Sequence, residues 1–153
     1  MTYFTEPEKL RVLITGSAGN IGMCLRSHLR ERYALLRLAD IAEQKPAQEN
    51  EEICKIDVRD ISSIERSMKD IDCVIHLAGI PAEDSWEKIL PMNIEGCYNV
   101  FEAARRQNVR RVIFASSNHA VGYHRREKFL GDTAPRPDSR YGVSKVFGEA
   151  LRL

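Results

Sequence analysis

Leu10-Arg11-Val12-Leu13-Ile14-Thr15-Gly16-Ser17-Ala18-Gly19-Asn20-Ile21-Gly22 joins a short, β-branched apolar run to a glycine-rich turn. Beyond the turn, Ile21, Leu25, His28, Leu29 and Tyr33 recur near helical spacing. The stretch therefore reads strand, turn, helix. Glycines at 16, 19 and 22 let the backbone turn tightly and approach a pyrophosphate with no Cβ in the way. The helix N-terminus then offers free N–H groups and the positive end of its dipole to the anion. The spacing is GxxGxxG rather than GxGxxG. Glycines at turns are common, so the strand–turn–helix context is what strengthens the signal.

Working outward, a second strand is expected over 34–39, closed by Asp40. Residues 43–52 are polar, contain Pro46 and lack apolar periodicity, which predicts a loop. A third strand over 52–56 precedes Asp57-Val58-Arg59-Asp60, and Ser62 is expected to cap a helix carrying Ile64, Met68 and Ile71. A fourth strand over 72–77 ends in Ala78-Gly79-Ile80-Pro81. Helical spacing then runs over 85–107 through Trp86, Ile89, Leu90, Ile94, Tyr98, Phe101 and Ala104. Pro91 inside it predicts a break or kink just before that residue. A fifth strand over 111–115 leads to Ser116-Ser117, residues 118–138 show no clear periodicity, and a last helix spans 139–153. Strands alternating with helices imply right-handed crossovers and a parallel sheet. No internal repeat or composition break divides the chain, so residues 1–153 read as one domain.

The composition narrows the function. In 153 residues, 23 Lys+Arg face 22 Asp+Glu, a net charge of +1. Binding nucleic acid by bulk charge needs a basic excess that is missing. No apolar run approaches the roughly 18 residues of a membrane span, and the N-terminus shows no basic start followed by an apolar stretch. Cysteines at 24, 54, 73 and 97 form no CxxC pair and no zinc-type spacing with histidine. They read as free thiols in a reducing compartment, which makes the expected location cytoplasmic and the expected metal none.

Asp40 lies at the end of the second expected strand, eighteen positions past Gly22. An acidic side chain there can accept hydrogen bonds from both ribose hydroxyls of an adenosine and would repel a 2′-phosphate, favouring NAD over NADP. Arg37 pulls the other way, though strand alternation leaves its direction open. Tyr141-Gly142-Val143-Ser144-Lys145 puts a phenol and an ammonium at i and i+4, on one helix face. A free phenol titrates near pH 10, and a neighbouring cation favours its ionised form, so such a pair can supply a base. Ser117 follows the fifth strand, where a loop at the carboxyl end of a parallel sheet faces the cofactor crevice.

Together these stretches resemble the extended short-chain dehydrogenase/reductase superfamily, the NAD-dependent epimerase/dehydratase family. The matching segments are Thr15 to Gly22, Asp57-Val58, His76-Leu77-Ala78-Gly79, Asn93-Ile94-Glu95-Gly96, Phe114-Ala115-Ser116-Ser117 and Tyr141 to Lys145. The resemblance implies a Rossmann-type doubly wound α/β fold of about five parallel strands in order 3-2-1-4-5. It implies NAD held by Gly16, Gly19, Asn20, Ile21, Gly22, Asp40, Asp57, Val58, Leu77, Ala78, Gly79 and Asn93, with Tyr141 and Lys145 also touching the cofactor. It implies a catalytic set of Ser117, Tyr141 and Lys145. The run from Phe114 to Tyr123, followed by Arg136 to Glu149, is similar to uronate dehydrogenases, which oxidise C1 of a free hexuronic acid to an aldarolactone. That likeness assigns Ser117, Asn118 and His119 to the substrate. Pro81 stands where that group carries a substrate-binding serine, and a proline has neither hydroxyl nor N–H.

Three readings follow. The first is an NAD-dependent dehydrogenase of a free sugar acid, a small-molecule carbohydrate, working with no nucleic acid or membrane and as a homo-oligomer at full length. The second is an epimerase or dehydratase of nucleotide sugars, which shares every cofactor motif; Asn118-His119 fits the free-acid group better. The third is a dinucleotide-binding fragment. The chain stops inside or just after the catalytic helix, without the further strands and substrate lobe usual in the superfamily, so it is expected to be weakly stable and inactive alone. His76 reads as a core histidine, Trp86 as packing, and the arginines at 105–106 and 110–111 as a solvated face.

Overall fold

The computed structural model describes residues 6–124 and 133–151. Five strands, β1 (Arg11–Thr15), β2 (Leu35–Asp40), β3 (Glu51–Lys55), β4 (Cys73–His76) and β5 (Arg111–Phe114), form one sheet in the order β3-β2-β1-β4-β5. Every pairing is parallel, with Val12 beside Leu36 and Cys73 at the centre. The order reverses between β1 and β4, which opens a crevice above their carboxyl ends. The expected fold class and strand order are therefore present.

Alternation along β1 supplies two core layers. Val12 and Ile14 point to one face with Leu36, Leu38 and Cys73, where Leu25 and Leu29 of α1 (Asn20–Leu29) cover them. Leu13 points to the other face with Ala39 and Val74. There it meets Ile64 and Met68 around α2 (Ile61–Ser67), and Val100, Ala103 and Ala104 of α4 (Gly96–Arg106). Central strands buried on both faces are expected to be mainly apolar, and β1 and β2 are, with Arg11, Thr15, Arg37 and Asp40 as their polar members. At the sheet edges the exposure rises, to 39% for Ile53 in β3 and 49% for Ile113 in β5.

Three local expectations are corrected. Asp60, not Ser62, caps α2: its carboxylate accepts from the Ser62 amide at 3.0 Å, so the helix begins two residues earlier. Pro91 does not break its helix. After α3 (Trp86–Ile89) the chain widens into a π-helix over Leu90–Glu95 and runs on into α4. The Gly96 amide reaches back five residues to the Pro91 carbonyl, the wider spacing of a π turn, and the chain passes Pro91 without a break. Trp86 is 42% exposed rather than packed away. The last helix, α5 (Arg140–Ala150), starts after Ser139, whose hydroxyl accepts from the Gly142 amide at 3.0 Å. The expectation of helix at 152–153 lies outside the described residues. Among those described, no helix is long and apolar enough to cross a membrane.

Candidate active site

The crevice is a cleft of about 580 Å3 above β1, β2 and β4. Gly16 makes it possible. Its φ is +72°, and a Cβ there would lie 2.6 Å from the Ala78 amide nitrogen, so the turn after β1 rests directly on the backbone leaving β4. Gly22 seats α1 on the same turn, since a Cβ on it would lie 2.5 Å from the Ser17 Cα. Gly19 is the less constrained member, an extended N-cap whose carbonyl accepts from Met23. That is the first bond of α1, so the amides of Asn20, Ile21 and Gly22 precede the helical ladder at the cleft wall. The first turn carries no acidic side chain. This cradle fits a pyrophosphate: small residues where a phosphate must approach, unused donors and a positive dipole end.

Asp40 stands at the tip of β2 in the same cleft. Its Oδ2 accepts from the Ala18 amide and its Oδ1 from the Ala42 amide, both at 2.9 Å. Each oxygen keeps a free lone pair, so the carboxylate is aimed and can still bind a diol. Arg37 faces away from the cleft. It bonds Glu52 and the carbonyls of Ser67 and Lys69, so it is not placed to receive a 2′-phosphate there. Asp57 and Val58 line the far wall, with the Asp57 carboxyl held below the usual range by the Arg59 guanidinium. Leu77, Ala78, Gly79 and Pro81 form the near wall.

Asn93, a further residue that the resemblance assigns to the cofactor, packs behind the residues that line the cleft. Buried in the π-helix, it accepts from the Ile80 amide at 2.8 Å and donates to the Ile80 carbonyl at 3.0 Å and to Ser144 Oγ at 3.3 Å. It thereby ties the loop after β4 to α5.

On α5, Tyr141 and Lys145 share a face as their spacing predicts. The Lys145 ammonium lies 5.4 Å from the Tyr141 ring centre and 4.9 Å from that of Phe114, and donates to the Ala115 carbonyl at 2.8 Å. Burial lowers its pKa from the ordinary lysine value. Close packing sets this approach: Gly148 allows the Phe114 ring against α5, and Ser116 bonds Glu149 across the same contact. Ser117 caps a 3₁₀ turn over Asn118–Val121, its hydroxyl bonded to the Asn118 side chain and the His119 amide. His119 packs edge-on to Tyr141 at 5.6 Å and 74°. The structure thus gathers Ser117, Asn118, His119, Tyr141 and Lys145 on the β5 side, joined to the cleft through Asn93.

Two further residues of the site carry no signal in the sequence. Glu83, after the near wall, accepts from the Tyr141 amide at 2.9 Å and pairs with Arg140 at 2.7 Å. Asp138 holds His119 Nδ1 at 2.8 Å. Both are loop carboxylates far along the chain from their partners, and no local pattern announces them. His76 is the buried neutral histidine expected, bonded to Thr15 at 2.7 Å, with burial pushing its pKa down to about 3. Among the described residues no His/Cys/Asp/Glu group could hold a metal.

Comparison with known proteins agrees with this geometry. A uronate dehydrogenase of Pseudomonas syringae pv. tomato is 44% identical over 143 residues, spanning 92% of this chain and 52% of the relative. A crystal structure of uronate dehydrogenase from Agrobacterium tumefaciens, a tyrosine-to-alanine mutant complexed with NAD, superposes with a TM-score of 0.88. It is 42% identical and covers 92% of this chain and 54% of its own. A glucuronic acid dehydrogenase from Chromohalobacter salexigens gives 0.88 at 43% identity, covering 92% and 53%. The chain spans about half the length of these relatives. The profile of the NAD dependent epimerase/dehydratase family matches residues 12–152, and the chain belongs to that family.

Proposed function

We propose that this chain carries the cofactor-binding and catalytic half of an NAD-dependent dehydrogenase that oxidises a free sugar acid such as a hexuronate. The observation that carries the reading is one continuous structure. A glycine cradle and an aimed Asp40 form a dinucleotide cleft, joined by Asn93 to a Tyr141–Lys145 pair flanked by Ser117, Asn118 and His119. Likeness to uronate and glucuronic acid dehydrogenases supports the substrate class.

NAD, when bound, supplies the hydride acceptor. The N-terminal amides of α1 hold the pyrophosphate, and Asp40 accepts from the adenosine ribose. Tyr141, as phenolate, takes the proton of the hydroxyl being oxidised. Lys145 sets a cation beside that ring, which favours the ionised form. Ser117 holds the oxygen as its proton leaves, and Asn118 and His119 contact the rest of the sugar. Asp40 and the diverted Arg37 favour NAD over its 2′-phosphorylated form.

The test is an assay of the protein at its natural length for NADH formed from free hexuronates and from nucleotide sugars. Net NADH from a free hexuronate is expected. An epimerase returns its hydride, so isomerised nucleotide sugar without net NADH would replace this reading by the second one.

A further inference from the structure

We propose that Asp138 is a positioning residue that fixes the ring orientation and tautomer of His119, leaving Nε2 as the nitrogen presented to substrate. This rests on the reading of His119 as a substrate contact.

A carboxylate only accepts hydrogen bonds. With Asp138 Oδ1 2.8 Å from His119 Nδ1, the neutral ring must carry its proton on Nδ1, and Nε2 is bare. In that state Nε2 accepts from a sugar hydroxyl; it donates to a carboxylate only when the ring is protonated. The edge-on contact with Tyr141 holds the ring against the base, so its orientation bears on the reacting end of the sugar.

Asp138 is itself held. Ser139 Oγ donates to the same Oδ1 at 3.1 Å, and the Asp138 amide donates to the His119 carbonyl at 3.3 Å. The Arg136 amide bonds the Ala120 carbonyl at 2.9 Å, joining the two segments again. Two glycines allow this closeness. A Cβ on Gly122 would collide with the Asp138 side chain, and one on Gly142 would lie 3.0 Å from the His119 carbonyl carbon. The His119 contact also holds the Asp138 carboxyl below its usual range, so the acceptor stays ionised.

Long-range 15N–1H NMR of the histidine rings tests this on the purified protein. We expect His119 with Nδ1 protonated and Nε2 bare, and a shift toward the opposite tautomer in Asp138→Ala. The buried His76 signal, unchanged, reports that the fold is intact. Bare Nδ1 in the wild type, or an unchanged tautomer in folded Asp138→Ala, overturns the proposal. If the alanine variant does not fold, Asp138→Leu keeps the bulk and can neither accept from nor donate to Nδ1; the same tautomer shift is expected there, and its absence overturns the proposal equally.

Kinetics at natural length add a second readout. Asp138→Ala should lower kcat/KM for a free hexuronate about tenfold with NAD affinity unchanged, and cost nothing further in a His119→Ala background. Equal losses in both backgrounds would mean that Asp138 does not act through His119. A wild type that forms no NADH from free hexuronates would sink the functional reading alone, because the tautomer is measured without turnover.

Discussion

Single residues carry both the legible and the hidden parts of the site. Gly16, Gly22, Asp40, Tyr141 and Lys145 are readable because each sits in one strand–turn–helix unit, at a strand end or within one helical turn. Asp138 and Glu83 are not, because their partners His119 and Tyr141 lie far along the chain and only the folded sheet brings them together. Gly22→Ala must push a methyl into the Ser17 backbone. We expect it to destabilise the fold by about 1–3 kcal/mol and to weaken NAD binding, read by urea unfolding and calorimetric titration. Tyr141→Phe removes only the hydroxyl. It should leave NAD affinity nearly unchanged and cut turnover roughly 10²–10⁴-fold, the usual worth of a general base. Retained turnover in that variant would remove Tyr141 from the mechanism.

At the scale of elements, the strands announced themselves through apolar runs closed by turn residues, and observed ends differ from expectation by at most one position. The π-helix did not. Its apolar spacing resembles a plain helix, and Pro91 suggested a break, whereas the chain widens there and runs on. That widened segment positions Asn93, whose amide satisfies both backbone groups of Ile80 and reaches Ser144 on α5. Asn93→Ala leaves these bonds unmade. The expected cost is about 1–3 kcal/mol in unfolding free energy, together with a loss of turnover as the loop after β4 and α5 lose their tie. Unchanged stability and activity would show that the tie is not needed.

For the whole molecule, the reversal of strand order at β1 and β4 puts the glycine turn, Asp40 and the loop after β4 around one crevice, and the β5 end brings the Tyr–Lys helix beside it. The core beneath it also sets a pH dependence. Folded His76 titrates at about 3, below the roughly 6.5 of an unfolded histidine. Between these values the unfolded chain binds a proton that the folded chain refuses, so this stability is complete above about pH 6.5 and is lost as pH falls toward 3. Asp57 and Glu51, held low by Arg59 and Arg26, add losses of the same sign at more acid pH. Urea unfolding at about pH 7 and about pH 5 should therefore show wild type losing more stability than His76→Gln; equal losses would exonerate His76. The central claim is hydride transfer from a free sugar acid to NAD. Its most direct measurement follows a hexuronate deuterated at C1 with the protein at natural length and NAD: deuterium should appear in NADH and leave the sugar product, whereas deuterium retained in the sugar, with no labelled NADH, would contradict it.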